Sequence, residues 1–463
     1  MSSLFHRMDK ATIIKWLICI VLTVICLVIP EQGFYNYKVK CFLAVTVFAL
    51  ALSAMELVPN FVVAIIMPAL WVFVGVAPIE LVMSSWTNST IIMLVGAYFM
   101  AASLEHCGLM KRLAFMLMCK VKGSYFGLLL AVMLVSILIN ILTFGSAYVL
   151  MPGLVLGLCL SLNGMKKNIG AGLSAALMLG CATSHAYTYQ APAWGVITSM
   201  GSEWLSSSSV TPVTIILHNW PLFIISLLLL WIAYKMYKPE EPIGDVSYFE
   251  DHLKAMGKMT VDEKWNAIIL GLLLLYTCTV TWTGLDLNLG FALVPFLLYL
   301  PFIKGATEKT IDKTNLQILF FVASCMAIGT VATDLGLGDQ LANLCLTFLG
   351  SNDNPIIILA IVFGIVFLLN FLMTPMAIWS LLTIPLLTIV THLGYPALPF
   401  AYAVNACAEA IILPYEYVPY LIIFSFGMMK MKDFFIFNVI RSVVVMAGIC
   451  VIMTGYWHLI GLM

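Results

Sequence analysis

Long apolar runs separated by short polar segments cover almost the whole chain. Most runs hold about 20 residues with few or no charges, the length that a helix needs to cross the hydrocarbon core of a bilayer. Two runs are longer than one span and are interrupted by polar residues and prolines, around 182–192 and 413–419. The pattern predicts membrane helices, two of them broken, over 12–30, 41–57, 59–77, 89–106, 124–142, 147–163, 169–206, 219–237, 265–284, 288–303, 316–334, 355–373, 376–391, 396–427 and 433–460.

Composition argues against a soluble globular chain. Of the 463 residues, 62% are hydrophobic and 10% are charged, whereas a globular domain carries about 25% charged residues. The net charge is zero, so no nucleic-acid partner is expected. The polar, basic start and the uncleaved apolar run over 11–30 predict a retained first helix. The twelve cysteines form no C-x-x-C pair, so we expect buried apolar thiols, no metal site and no cofactor.

Basic residues predict the orientation in the membrane, because Lys and Arg favour the cytoplasmic side. We place the N-terminus inside and treat 124–163 and 355–391 as re-entrant hairpins that return to their own side. Among the loop residues, only Lys38 and Lys40 then fall outside. This arrangement gives about eleven crossings and a C-terminus outside. The charges fit two full spans in place of each hairpin equally well, since both return to the same side.

The two halves of the chain repeat each other around a polar stretch. Residues 238–264 hold prolines, a glycine and mixed charges, and they predict a cytoplasmic linker between a first half over 1–237 and a second half over 265–463. In each half a small-residue helix leads to an acidic residue, Gly-Leu and an arm that ends in Leu-Ala, at 96–114 and 323–342. The first arm is basic and the second, over 335–350, has no Lys or Arg. The opposed charge predicts an inverted repeat, as in many secondary transporters; chance similarity between two membrane helices is the alternative.

Each half contains a hairpin whose tip interrupts an apolar run. The tips are 140–148 (NILTFGSAY) and 370–377 (NFLMTPMA). A half-helix that begins at such a tip offers free N–H groups and the positive end of its dipole, which suit a carboxylate. The alternative for the hydroxyl groups is a bond to the carbonyl four residues earlier. The predicted substrate contacts are Asn140, Thr143, Ser146, Thr374 and Pro375.

The broken helices 169–206 and 396–427 carry ionisable residues deep in apolar sequence. Such groups are costly in a membrane and mark a proton, ion or substrate pathway. We therefore predict that His185, Glu416 and, with less support, Glu409 couple transport to protons. The alternatives are an interhelical hydrogen bond for His185 and a salt bridge or an interfacial position for Glu416. Aromatic residues gather at the same breaks and predict a partly aromatic pocket with contacts from Tyr187, Thr188 and Tyr417.

Soluble-enzyme motifs are absent from the sequence: there is no P-loop, dinucleotide glycine fingerprint, H-E-x-x-H or G-x-S-x-G. We therefore do not expect an enzyme. Without an ATP-binding module, transport must draw on an ion or solute gradient, or simply equilibrate the solute. A membrane-embedded enzyme or receptor would need a catalytic cluster or a large extramembrane domain, and the sequence contains neither.

The order of these elements resembles the divalent-anion/sodium symporter family of the ion transporter superfamily, which carries dicarboxylates, citrate or sulfate. Residues 95–114 are similar to a helix and cytoplasmic arm of that family. Residues 406–432, with prolines at 414 and 419, are similar to its last broken helix. The resemblance covers nearly the whole chain. It implies a homodimer in which a mobile transport domain moves as an elevator against a scaffold domain.

The Ser-Asn-Thr triplets with which that family binds substrate carboxylate and sodium are missing at both tips. Residues 142–144 (LTF) and 375–377 (PMA) stand in their places. The family's Pro-Pro-Asn elements are also replaced, by 191–193 (APA) and 418–420 (VPY). Because a sodium site needs several oxygen ligands, these losses predict proton coupling or solute exchange in place of sodium coupling.

The sequence therefore predicts an all-α integral membrane transporter for a small, dicarboxylate-like organic anion, working as an elevator without sodium. Its expected partners are the solute, protons, the lipid bilayer and a second copy of the chain. The expected location is the cell (inner) membrane, with the N-terminus cytoplasmic. The same fold carrying an amine-bearing or zwitterionic solute, held by Glu416 and aromatic rings, is the alternative.

Overall fold

The chain folds into helices joined by turns and irregular breaks. The computed structural model describes residues 10–55, 57–119, 124–162, 168–206, 209–239, 248–301, 303, 305–313, 317–337, 340, 354–370 and 374–463. Extended pairing within them amounts to an isolated bridge between Gln32 and Tyr35. The predicted all-α fold is therefore confirmed. Residues 240–247 of the linker, most of the second arm and residues 371–373 of the second tip lie outside the described residues.

The first half ends its series of helices with a bent pair. A 3-10 turn, Thr183–Ala186, separates α9 from α10. The axes of α11 and α12 differ by 65°. The helices are α1 Lys10–Val28, α2 Tyr37–Ala54, α3 Asn60–Phe73, α4 Ile79–Met83, α5 Ser89–His106, α6 Leu109–Met118, α7 Tyr125–Leu142, α8 Ala147–Ser161, α9 Ile169–Cys181, α10 Ala191–Met200, α11 Pro212–Asn219 and α12 Pro221–Met236.

The second half follows a similar order of helices. A 3-10 turn, Pro414–Glu416, separates α20 from α21, and a π-helical segment, Gly448–Met453, separates α22 from α23. The helices are α13 Tyr248–Ala255, α14 Val261–Thr283, α15 Leu287–Leu293, α16 Glu308–Lys313, α17 Gln317–Asp334, α18 Pro355–Asn370, α19 Pro375–His392, α20 Ala397–Ala408, α21 Val418–Ser425, α22 Met431–Ala447 and α23 Thr454–Leu459.

Several helices begin where a side chain caps free backbone N–H groups. Asn36, Asn88 and Ser124 accept hydrogen bonds from the first turns of α2, α5 and α7. At the start of α14, Thr260 and Glu263 cap each other's backbone N–H groups. Caps of this kind replace the partners that the first turn of a helix lacks.

Helix length and composition make this a multi-pass membrane protein. Within the described residues, six helical stretches are long and apolar enough to cross a bilayer, or up to seven if the bent pair α11–α12 is one span. Shorter apolar helices of 10–17 residues lie among them. The number of about eleven crossings stays a prediction, because a short apolar helix is compatible with either a hairpin or a span.

The broken helices occupy the centre of the protein. Every residue of α9 is buried, and all of α20 except Leu398 is buried. A Cβ on Gly180 would lie 2.5 Å from Cβ of Ser136, so the small residues of α9 allow close contact with α7. By contrast, α1 exposes large apolar side chains such as Val28, at 73%. Polar breaks therefore lie inside and apolar surface faces outwards, as lipid requires.

The two halves share an internal order around these broken helices. A pair of helices precedes each one, α7–α8 in the first half and α18–α19 in the second. The later member of each pair contains a proline, Pro152 in α8 and Pro385 in α19. After each break the chain resumes with a helix whose second residue is proline, Pro192 in α10 and Pro419 in α21. The N–H groups in the first turn of a helix have no partner within that helix. Proline, which has no N–H, therefore leaves no unpaired donor where the helix restarts inside the membrane.

A buried ion pair fixes the first arm to the start of α14. Arg112 in α6 donates to both carboxylate oxygens of Glu263 in α14, at 2.9 and 3.0 Å. Its Nη1 also donates to the carbonyl of Gly257, at 2.7 Å. Nearby, Ser103 of α5 donates to Asn266 of α14, at 2.7 Å. Arg112 was predicted only as one of the basic residues that mark the inner side, and the structure adds this anchoring role.

Removing Arg112 should destabilise the protein, because it leaves the Glu263 carboxylate buried without its partner. The side chains are 7% and 2% exposed, and breaking a buried pair costs about 3–5 kcal/mol. We expect Arg112→Met to lower the thermal unfolding midpoint in detergent clearly. Lys111→Met, one exposed residue earlier, removes the same charge and should leave the midpoint near that of the wild type. Equal midpoints for the two variants would contradict this role.

Candidate substrate and coupling site

The first hairpin tip is held to the first break by Asn140. Its Nδ2 donates to the carbonyl of Cys181 at 3.2 Å and to Oγ of Ser184 at 2.9 Å. Its Oδ1 accepts from the backbone N–H of Ala147, at 3.1 Å. Asn140 is fully buried, and its amide is engaged within the protein on both sides. It therefore fixes the tip against the broken helix.

An irregular turn brings the same tip onto the start of α10. Phe144 and Gly145 have φ angles of 52° and 103°. The Phe144 carbonyl accepts from the N–H of Ala191 at 3.1 Å. A Cβ on Gly145 would lie 2.7 Å from Cγ of Gln190. Both the positive φ and the close approach require glycine at 145.

Three of the predicted substrate contacts, Thr143, Thr188 and Tyr187, donate their hydrogen bonds to other groups of the protein. Thr143 donates to the carbonyl of Ile139 at 2.7 Å, and Thr188 donates to that of Ser184 at 2.8 Å. These are bonds to the carbonyl four residues earlier, the alternative considered for such hydroxyls. Tyr187 donates to Ser226 of α12, at 3.2 Å. Ser146 lies half-buried at the start of α8, where its N–H donates to Oγ1 of Thr143 at 3.2 Å.

At the second tip two polar side-chain atoms have no hydrogen-bond partner among the described residues, whereas Asn140 at the first tip is bonded through both its oxygen and its nitrogen. Asn370 ends α18, and its Nδ2 donates to the carbonyl of Ala410 at 3.5 Å. This contact spans 40 residues, and the corresponding contact from Asn140 to Cys181 spans 41. Thr374 precedes α19 without a side-chain capping bond, and Pro375 is the first residue of that helix. The Asn370 Oδ1 and Thr374 Oγ1 atoms are buried without a partner among the described residues.

The two broken helices meet at the starts of their second parts. Gln190 precedes α10 and Tyr417 precedes α21. The amide of Gln190 is hydrogen-bonded to the hydroxyl of Tyr417, and both residues are buried. The ring of Trp379, in α19, stands perpendicular to that of Tyr417, with centroids 6.4 Å apart. A buried side-chain hydrogen bond therefore links the residues that precede the two half-helices, whose first turns carry the positive ends of the helix dipoles.

His185 pairs with Glu409, the less favoured of the two predicted carboxylates. The two residues lie at the first and second breaks, and Nδ1 of His185 is 2.9 Å from Oε1 of Glu409. The side chains are 0% and 4% exposed. Asn405 of α20 donates to the His185 carbonyl at 3.0 Å. This pair therefore joins the two halves across 224 residues of sequence.

Glu416 caps the backbone of its own break. Its carboxylate accepts from the N–H of Ile412 at 2.9 Å and from that of Leu413 at 3.1 Å. The side chain is buried, and no ion pair forms with it among the described residues. Glu416 therefore satisfies donors that the broken helix would otherwise leave unpaired.

Arg441 is a site residue that the sequence reasoning missed. It lies inside the last apolar run, 2% exposed, in α22. Its Nη2 donates to the carbonyls of Glu409 and Ile411, at 3.0 and 2.8 Å. The rule that singled out Glu416, an ionisable residue deep in apolar sequence, applies equally to Arg441 and would have found it.

Buried polar atoms without a partner are concentrated at the tips and breaks. In native proteins nearly all buried polar groups are paired, so these atoms make the tips and breaks the candidate site for a polar solute. Among the described residues, no group of three or more His, Cys, Asp or Glu side chains is placed to hold a metal ion. The unpaired atoms in this region are His185 Nε2, Gln190 Oε1, Trp194 Nε1, Asn370 Oδ1, Thr374 Oγ1, Trp379 Nε1, Asn405 Oδ1 and Glu409 Oε2.

A methyl group at Gly145 should disturb this region by pushing the tip away from Gln190. We expect Gly145→Ala to destabilise the protein by about 1–3 kcal/mol, because it combines a strained φ with a clash. Gly153→Ala, in α8 of the same hairpin, meets nothing closer than 3.9 Å and serves as the control. Thermal unfolding of both variants tests the contact. A Gly145→Ala midpoint no lower than that of Gly153→Ala would contradict it.

The comparisons with known proteins agree with this architecture. The family described as the sodium:sulfate symporter transmembrane region matches residues 10–463. No curated protein matches the sequence significantly. Among solved structures, the YdaH transporter of Alcanivorax borkumensis has the same fold, with a TM-score of 0.57 over 98% of this chain and 99% of that one, at 16% identity.

The family match spans almost the entire chain and includes both broken helices. The structural likeness, at its low identity, adds support for the fold alone. The predicted resemblance is thereby confirmed. The chain belongs to the sodium:sulfate symporter family, the divalent-anion/sodium symporters, and is a multi-pass membrane transporter.

Proposed function

We propose that this protein is a secondary transporter of a small, dicarboxylate-like organic anion, driven by protons or by exchange and not by sodium. The observation that carries the proposal is the junction formed by the buried hydrogen bond between the side chains of Gln190 and Tyr417, each of which precedes a half-helix. Such ends offer positive dipoles to an anion without a metal ion. The site lies between the two halves, as the substrate sites of inverted-repeat carriers do.

Unpaired donors beside this junction favour an anion over a cation. The indole N–H of Trp379 and the hydroxyl of Thr374 are buried without partners among the described residues. A rotation of the Gln190 amide by about 180° exchanges the positions of its accepting oxygen and its donating NH2 group. In the turned orientation Tyr417 donates to Gln190, and the amide NH2 is free for a carboxylate. The carboxylate of Glu416, which would hold an amine, is instead engaged by backbone N–H groups.

The cross-links between the breaks support an elevator mechanism. Asn140 ties the first tip to the first break, and His185 and Gln190 tie the first break to the second. Elements joined in this way move as one body. We assign them to a transport domain that slides against the remaining helices within a homodimer. The location proposed is the inner membrane, with the N-terminus cytoplasmic and the C-terminus outside.

The His185–Glu409 pair is the proposed proton site. Each partner has one further atom, Nε2 and Oε2, without a described partner. A proton that arrives there changes the charge of a pair lying between the two halves. Arg441 contacts this pair through the Glu409 carbonyl, at 3.0 Å. Loss of both Ser-Asn-Thr triplets removes the oxygen ligands that sodium would need.

Uptake into proteoliposomes tests the proposed substrate class. We expect accumulation of a small dicarboxylate from a panel that also contains sulfate, monocarboxylates, amines and zwitterions. Accumulation should respond to an imposed proton gradient or to an internal counter-anion. It should be equal in sodium and choline buffers. Sodium-driven accumulation, or uptake of amines alone, would overturn the proposal.

Variants at the pair test the proton site separately. His185→Gln and Glu409→Gln each remove one member of the proposed proton site at nearly constant volume, so uptake should lose its response to a proton gradient while exchange remains. His218→Gln is the matched control, because Nδ1 of His218 bonds the Tyr402 hydroxyl at 2.9 Å and faces no carboxylate at that atom. Uptake by both pair variants that follows the proton gradient as the wild type does would exclude this site.

A further inference from the structure

Arg441 lies where a charged side chain is most costly. It is in the middle of a helical stretch, Met431–Leu459, that is apolar and long enough to span the membrane. It is 2% exposed. Among the described residues, no carboxylate oxygen lies within 4.0 Å of its guanidinium nitrogens. A charge at this depth persists only where other interactions repay its desolvation.

The guanidinium is directed to the carbonyl end of α20. That helix ends at Ala408, and the irregular segment after it carries the carbonyls of Glu409 and Ile411. Free carbonyls at a helix C-terminus are the negative end of the dipole. In transporters with broken helices, such carbonyls are where coupling cations bind. Arg441 thus places a fixed positive charge at a cation-binding end.

The rest of the Arg441 environment also suits a cation. Its Nε donates to Oδ1 of Asn438, at 2.9 Å. Its guanidinium carbon lies 4.8 Å from the centroid of the Tyr420 ring, within the range of a cation–π contact. These partners are neutral, so the charge is held by oriented dipoles and a ring face.

The first break has a neutral donor at the corresponding end. There the carbonyl of Cys181, the last residue of α9, accepts from the amide of Asn140 at 3.2 Å. In the second half, Asn370 makes the matching but longer contact with Ala410, at 3.5 Å. The positive charge is thus an addition at the second break and not part of the repeat.

We propose that Arg441 is a tethered cation that replaces an exchangeable alkali cation at the carbonyl end of α20. Because the charge is covalently attached, it stays with the protein through the transport cycle and no ion has to bind before the solute. This inference rests on the proposed sodium-independent transport and supplies a physical cause for it. It also assigns Arg441 as a positioning residue that holds the second break in shape.

Cation-dependent unfolding of purified variants tests the proposal without knowledge of the solute. Arg441→Ala should unfold at a lower temperature than the wild type in choline chloride. At constant ionic strength, methylguanidinium, sodium or lithium should recover most of that loss, because an ion that binds the native state stabilises it. The wild type should show no such cation-specific shift. Asn438→Ala, which removes a neutral partner and keeps the charge, should be destabilised without cation recovery.

A conservative variant covers the case in which Arg441→Ala does not fold. Arg441→Lys keeps a cation on the same helix, so its unfolding should be independent of added alkali cations. If a transported anion is found, its uptake by Arg441→Ala in choline should fall about tenfold or more, since the two charge-assisted hydrogen bonds to the carbonyls of the second break are lost. Sodium or methylguanidinium should restore part of the uptake.

Three results would overturn the proposal. The first is wild-type stability of Arg441→Ala in choline. The second is a destabilised Arg441→Ala that no cation restores. The third is cation-dependent unfolding of Arg441→Lys. Failure of the proposed function, in contrast, would appear as absent or sodium-driven uptake by the wild type, while the unfolding results with the variants stand independently.

Discussion

A helix that is interrupted inside a membrane leaves backbone groups that lipid cannot satisfy, and the protein must supply partners for them. This chain contains two such interruptions in its buried centre. Asn140 donates to the carbonyl end of α9, and Arg441 donates to that of α20. Glu416 accepts the N–H groups of the second break. Buried polar side chains that are costly to place in a membrane, Asn140, Arg441 and Glu416, therefore stabilise the broken helices by bonding their backbone groups.

Other side chains join the breaks to one another. His185 and Gln190 of the first break contact Glu409 and Tyr417 of the second. Contacts between distant parts of the sequence therefore hold both breaks together. Small residues along α9 let its neighbours pack closely around this centre.

Ionisable residues of the two breaks and of α22 contact one another. Glu409 pairs with His185, and its carbonyl accepts from Arg441. In the proposed mechanism, a proton bound by the His185–Glu409 pair changes the charge next to the proposed anion site, and Arg441 supplies a charge that stays with the protein.

The sequence alone determined the class of the protein, because apolar run length, the positions of prolines and the repeated order of motifs are local properties of the chain. It located both tips, both breaks and the ionisable residues His185, Glu409 and Glu416. Arg441 was detectable by the same rule. The tertiary structure decided which of these residues meet. His185 faces Glu409 and not Glu416, and Tyr187 turns to Ser226. The direction of a side chain in an irregular break cannot be read from the helical period. These contacts also join residues that are far apart in the chain, so only the packing of the two halves determines which side chains meet.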